Sequence, residues 1–480
     1  MMPDHHEDGS APTSTLVRVA GSLRSAFETT RRAFLEFLTI PSLVIVGFLL
    51  LALLTFVLDR GRLSNGSNDA QQIWGGLFSD AQGARNFLGV IASSIITVTS
   101  ITLSLLLIAV QQGAASLTSL VFDQFLRRRT NQLYFGFFIG LALYALIVLA
   151  SIEPRHQPIY GVALAGLLTV VALYMLILLT YTTINQMRPV VIIKSIHDHT
   201  LLARDRQHDL LRATRRSPQN PGLTTERLNS KRSGFLTRID VAAIDDGLPA
   251  DVEIVILSSI GEYISFGDPI VEIRASQPTS PKLKATVGQA IMLEAQRDLD
   301  SDAVFGIEQL MTIGWTSIST AKSNPDPGLL AIWNLRDLAA RWLATDASFG
   351  APDQRGPRRA AGVVYVDNLP ARLMEAFESL IVVASESMQH QSAAQIYRTF
   401  ASLYPRLPHD LQRQSEDCLM RSLSGLGDHI LTRELAASLS ILVDALRMSG
   451  PPGCAGAIAL ARDKLAASIG QLNSPSSRTP

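Results

Sequence analysis

Lysine is scarce in this chain: it stands at six positions, and arginine supplies the rest of the 42 basic residues. Forty-two acidic residues balance them to a net charge of zero. That balance excludes the global basic field that nucleic-acid binders carry, so no nucleic acid is expected as a partner. Cysteine is nearly absent as well. Cys418 and Cys454 are too few for a disulfide framework or a CxxC-type zinc site, and in a cytoplasmic segment both are expected to be reduced thiols. Missing too are the glycine-rich phosphate loop ending in Lys-Ser/Thr, GxGxxG, HExxH and GxSxG. Without them the chain carries no motif of an enzyme, and no cofactor, metal or catalytic residue is expected. Residues 1–34 lack the short apolar core and cleavage site of a signal peptide and are expected to form a retained cytoplasmic tail.

Charge is also missing from four long runs, and there the absence is informative. Ile40–Leu58, Phe87–Val110, Leu133–Ile152 and Ile159–Ile184 contain no Asp, Glu, Lys, Arg or His. Each is long enough to cross about 30 Å of hydrocarbon as a helix. Buried helices of soluble proteins rarely run so far uncharged, so the chain is expected to be an integral membrane protein with four transmembrane helices in 35–188. The absence of ionisable groups inside the runs argues against a proton relay.

Arginine then sets the expected orientation. Arg18, Arg24, Arg31, Arg32, Arg127, Arg128, Arg129, Arg188, Lys194 and Arg204 flank the spans on one side. The other side has Arg60, Arg62, Arg85 and Arg155. Ten against four places both termini and the Arg127–Arg129 loop in the cytoplasm. The excess of Arg over Lys and the abundance of Ala suggest a bacterial source, hence a multi-pass protein of the cytoplasmic (inner) membrane with the lipid bilayer as its first partner. The loop 59–86 contains Trp74 and Phe78, which suit interfacial anchors.

The second span differs from its neighbours. Ser93, Thr97, Ser100 and Ser104 recur at steps of four, three and four, and Gln111 continues the face one heptad later. Such a face serves either helix packing through small hydroxylated residues or the lining of a permeation path; packing is the preferred expectation. Gly136 and Gly140 in the third span form a GxxxG packing spacing. Small faces on several helices suit a compact bundle and a homo-oligomer. After the fourth span, His197, Asp198, His199, Asp205, His208 and Asp209 are expected on the solvated face of a charged juxtamembrane helix within 189–232, whose end from Arg215 looks like a linker.

The remainder is expected to be an α+β cytoplasmic domain. Alternation in Gly234–Asp240, Val252–Leu257 and Gly261–Arg274 indicates strands of a small β-barrel or sandwich over 233–285. Residues 286–472 are mainly helical, with helices over Gln289–Ala295, Phe305–Ser319 and up to Leu343, a strand at Gly362–Val366, and four or five helices after Ala371; 473–480 form a disordered tail. Asp302, Glu308 and Asp326 flank a polar turn and could shape a pocket, but no catalytic role is expected of them.

Three stretches together resemble a bacterial family of predicted membrane proteins of unknown function, DUF2254. They are Ala92–Thr99 with Ser104 and Gln111, Ser233–Asp240 with Gly261–Ile270, and Phe305–Leu310. The resemblance covers roughly 30 to 345. The family's usual Asn-Asp-Pro turn is interrupted here by Pro325 between Asn324 and Asp326. It implies the architecture and assigns no activity, cytoplasmic ligand or protein partner. The function that follows is a non-enzymatic, oligomeric membrane scaffold or sensor with a cytoplasmic regulatory domain; its rival is a channel or facilitator lined by the second helix and gated by that domain.

Overall fold

The computed structural model describes residues 38–65, 81–116, 128–153, 158–219, 224–246, 248–249, 251–319, 324–346, 362–426, 429–449 and 452–467. Arg127, Trp74, Phe78 and the two chain ends therefore lie outside the described residues. The chain divides into two compact units, 1–115 with 119–188 and 116–118 with 189–480.

Four helices of the first unit are long and apolar enough to cross a bilayer: α1 (Thr39–Asn65), α2 (Ala81–Ser116), α3 (Arg129–Ala150) and α4 (Ile159–Gln186). The apolar window of α3 is 56% buried against 22% in each of the others, which makes α3 the central helix. The rest expose Leu, Ile and Val broadly, as helices do when the surrounding solvent is apolar. Close approach of α1 to α3 follows from two glycines. A Cβ on Gly136 would stand 2.8 Å from the Pro41 Cα, and one on Gly140 would stand 2.4 Å from a ring carbon of Phe48. With both Cβ atoms absent, Phe48 seats edge-on to Phe137 at 5.3 Å between ring centres.

The second unit opens with α5 (Pro189–Ala213). Two small antiparallel-rich sheets follow. One has the order β1-β5-β3-β7, from Thr224–Asn229, Pro269–Ala275, Val252–Ile256 and Val363–Tyr365; only its β3–β7 pair is parallel. The other has the order β4-β2-β6, from Tyr263–Ile264, Gly234–Ile239 and Ile291–Glu294. Leu236, Ile254, Ile264, Val271, Ile291 and Val363 from both sheets meet in one apolar core. Neither sheet closes on itself into a barrel; of the expected small barrel or sandwich, the β-rich character is seen, as two small sheets over a shared core. Between them run α6 (Val241–Asp245) and α7 (Pro281–Ala290), the latter started by Ser280, whose Oγ accepts from the Leu283 amide at 3.2 Å.

Helices complete the unit: α8 (Ala303–Ser319), α9 (Asp326–Asp346), α10 (Leu369–Glu386), α11 (His390–Leu403), α12 (His409–Leu426), α13 (Arg433–Ser449) and α14 (Pro452–Ala467). α8 packs against α5, α9 and α10. Gly306 sets the α5–α8 distance, because a Cβ there would lie 1.9 Å from Thr200 Oγ1 and 3.0 Å from Thr200 Cβ. Gly306→Ala should therefore lower stability by about 1–3 kcal/mol, although alanine gains about 1 kcal/mol of helix propensity. Thr200→Ala in the same chain should return part of the loss in thermal melts. A melting temperature raised by Gly306→Ala would contradict the close approach.

Candidate functional site

Ala84, Leu88, Ile91, Ala92, Ile95, Leu106 and Val110 are the buried residues of α2. Ser93, Thr97, Ser100, Ser104 and Gln111 are all exposed. At about 100° per residue the two sets centre roughly 155° apart around the helix. The hydroxyl face thus points away from the bundle, and among the described residues no helix of the same chain covers it. Within one chain the face makes no packing contact with another described helix, and both expectations for it, packing against a further copy and the lining of a path, stay open at this point. The hydroxyls are satisfied locally instead: Ser93 donates to the Val90 carbonyl (3.2 Å), Thr97 to Ser93 (2.8 Å), Ser100 to Ile96 (2.9 Å) and Ser104 to Ser100 (3.0 Å). Back-bonding of this kind leaves the oxygen lone pairs facing outward while removing the cost of an unpaired donor in hydrocarbon. Gly89 extends the face, with open space around its Cα.

At the end of the bundle where α1 finishes and α4 begins, a polar knot links three helices. Asp59 is buried and its carboxylate accepts from the amides of Tyr160 (3.0 Å) and Gly161 (3.1 Å), two of the first N–H groups of α4. The Tyr144 hydroxyl lies 3.3 Å from Thr55 Oγ1 and 3.2 Å from the Gly161 carbonyl. Beside the knot is a cavity of about 390 Å³ lined by Leu49, Phe56, Asp59, Val148, Pro158 and Gly161. Sequence reasoning passed over Asp59, because it reads as the first polar residue beyond a span. Its partners are more than one hundred positions away. At the opposite end of α3, Arg128 occupies the N-cap position and Arg129 is the first, exposed helical residue.

In the second unit Asp205 and Asp209 of α5 are exposed, as a solvated charged face requires, Asp198, His199 and His208 are half-buried, and His197 departs from that face. His197 is buried, with Nε2 2.8 Å from Asp337 Oδ2 on α9. Arg204 forms a two-pronged pair with Asp367 at 3.1 and 2.6 Å. A buried ionic cluster surrounds Arg297. Its Nε donates to Asp302 at 2.6 Å, its Nη1 donates to Glu308, and its guanidinium lies 4.8 Å from the Phe305 ring centre and 5.8 Å from that of Phe235. Asp302 is 1% exposed and also accepts from the Phe305 amide at 3.0 Å, starting α8. Burial raises the Glu308 carboxyl above its ordinary range against the pull of Arg297. Gly261, at φ +92°, completes the cluster; a Cβ there would stand 2.6 Å from Arg297 Nη2.

Among the described residues no group of three or more His, Cys, Asp or Glu is placed to hold a metal ion. Cys418 and Cys454 are free and buried, and burial pushes their thiols up to about 12 and about 11. Neither thiol is poised to ionise, so neither has the character of a nucleophile.

A family model described as "Predicted membrane protein (DUF2254)" matches residues 35–390. No curated protein and no solved structure matches the chain. The matched range takes in all four long helices, both sheets and α8 to α10. Two of the stretches that carry the resemblance converge on Arg297, through Phe235, Gly261, Phe305 and Glu308.

Proposed function

This chain belongs to the DUF2254 family of predicted membrane proteins, and from that premise we propose a multi-pass, non-enzymatic scaffold or sensor whose copies assemble along the hydroxyl face of α2. The second unit is its regulatory domain, in the cytoplasm of a bacterium, below an inner membrane. One observation carries the assembly reading. Ser93, Thr97, Ser100, Ser104 and Gln111 are exposed on the face opposite the packed one, and small hydroxylated residues let helix backbones approach within a bilayer. With the hydroxyls of Ser93, Thr97, Ser100 and Ser104 donating to their own helix, their oxygens accept weak contacts from a neighbouring copy without needing one for each hydroxyl.

Single cysteines at Thr97, Ser100 and Ser104, oxidised in membrane vesicles, should yield disulfide-linked pairs, whereas Ile95→Cys on the packed face should not. The same chain in nanodiscs should contain more than one copy. A strict monomer, or linkage equal on both faces, would defeat the reading. The rival reading uses the same outward oxygens to line a path between copies. It is favoured only if liposomes holding the assembled protein pass a solute or ion and bulky substitution at Thr97 or Ser100 stops the flux while leaving assembly intact.

A further inference from the structure

β1 ends at Asn229, and the chain turns through Ser230, Lys231 and Arg232 before β2 begins. The turn is held rigidly. Buried Ser230 donates its amide to the Asp268 carbonyl (2.8 Å), accepts from the Gly267 amide (2.9 Å), and places its hydroxyl 2.5 Å from the Arg232 carbonyl. Facing the turn, α7 presents Lys284, Ala285 and Gly288. A Cβ on Gly288 would meet only Leu228 Cδ2, at 3.8 Å, so the small residue leaves room rather than permitting contact.

The space between them is a cleft of about 470 Å³, within the range of small-molecule sites. Its floor is aliphatic, from Leu228, Ile270, Ile291 and Leu293, which are buried or half-buried. Its rim is cationic. Lys231 and Arg232 are exposed, and among the described residues neither has a carboxylate within ion-pair distance. Lys284 is the third cation and is held by Glu226, whose carboxyl it keeps below the ordinary range. Three of the chain's six lysines, Lys231, Lys282 and Lys284, are on this turn and this helix.

We propose that this cleft binds an amphipathic phosphate ester, with its apolar part against Leu228, Ile270 and Leu293 and its phosphate between Lys231 and Arg232. Two adjacent uncompensated cations suit a dianion, and the aliphatic floor requires that the anion carry an apolar body. Two sources share this chemistry, a soluble phosphorylated metabolite and a phosphate headgroup of a membrane lipid. The cleft lies wholly within the second unit, so the proposal stands or falls independently of assembly through α2.

The test uses the full chain in phosphatidylcholine nanodiscs. One arm titrates a fluorescent N-methylanthraniloyl ester of AMP and follows anisotropy. The other forms discs with phosphatidic acid in minority and reads by native mass spectrometry which lipid the protein retains. In whichever arm binds, Lys231→Glu with Arg232→Glu should weaken retention about a hundredfold. Gly288→Trp, which occupies the cleft from a position with room for a side chain, should abolish it with circular dichroism unchanged. Glu226→Gln, which releases Lys284, should strengthen it several-fold. Saturable nucleotide binding with these responses identifies a soluble ligand, and selective phosphatidic acid retention with them identifies a lipid headgroup. Binding in neither arm, or binding indifferent to the charge reversals, overturns the proposal.

Discussion

Arg297→Ala should cost about 3–5 kcal/mol, the usual penalty for removing one partner from a buried ionic cluster. Asp302 is 1% exposed, so its carboxylate has no water to fall back on once the Nε donor at 2.6 Å is gone. Glu308 loses a donor and the attraction that offsets its burial. Phe235 and Phe305 lose the cation between them. The full chain in detergent should melt about 10 °C lower. Arg297→Lys should recover only part of this, because an ammonium cannot serve two carboxylates with a planar fork. Adding Asp302→Asn to Arg297→Ala should recover some stability by removing the stranded charge, while the amide oxygen continues to accept from Phe305. A loss under about 1 kcal/mol for Arg297→Ala would mean that the cluster does not organise the start of α8.

Asp59→Ala should be the most damaging single change in the helix bundle. It removes the acceptor for two amides of the first turn of α4, at Tyr160 and Gly161. Asp59 is 5% exposed, so the two amides it serves are largely shielded from solvent and removing the carboxylate leaves them poorly paired. The anion also complements the positive end of the α4 dipole. The combined loss is expected to be about 2–4 kcal/mol, seen as unfolding at a lower mole fraction of sodium dodecyl sulfate in mixed micelles. Asp59→Asn keeps a single acceptor oxygen and should fall between Ala and the native residue. Equal resistance for Ala and Asp would show that the knot does not bind α1 to α4.

Some of this structure was legible without coordinates because the relevant physics is local. A run of 19 or more uncharged apolar residues has few alternatives to a spanning helix, whatever surrounds it. Gly306 and Gly261 lie in stretches that carry the family resemblance, and each is explained by a contact the sequence does not display: Thr200 in one case, and Arg297 with a positive φ in the other. Other elements were hidden for identifiable reasons. β1 lies in the polar, Pro- and Arg-rich stretch that looks like a linker, because Thr224–Asn229 lacks apolar alternation; the strand is almost wholly exposed, and its backbone pairing to β5 makes it one. The segment expected as a helix over Gln289–Ala295 contains β6, because Ile291–Glu294 finds a partner edge in β2. Strand β7 joins β3 across about one hundred residues, which no window of sequence spans.

The same division runs through the polar residues. Heptad spacing alone put Ser93, Thr97, Ser100 and Ser104 on one face of α2, since helical geometry is fixed by the backbone. Which way that face turns was decided by Leu88, Ile91 and Ile95 packing into the bundle on the far side. His197 looked like one charge among many on a solvated helix, until Asp337 arrived from 140 positions away to hold it in the interior. Asp59 looked like the end of a span, until the first amides of α4 closed over it. The sequence by itself determined the four apolar helices and the polar stripe, because periodicity and the lack of charge act over one or two turns. Only the tertiary structure decided which polar groups are buried and what each meets, because their partners are far away along the chain and near only after it has folded.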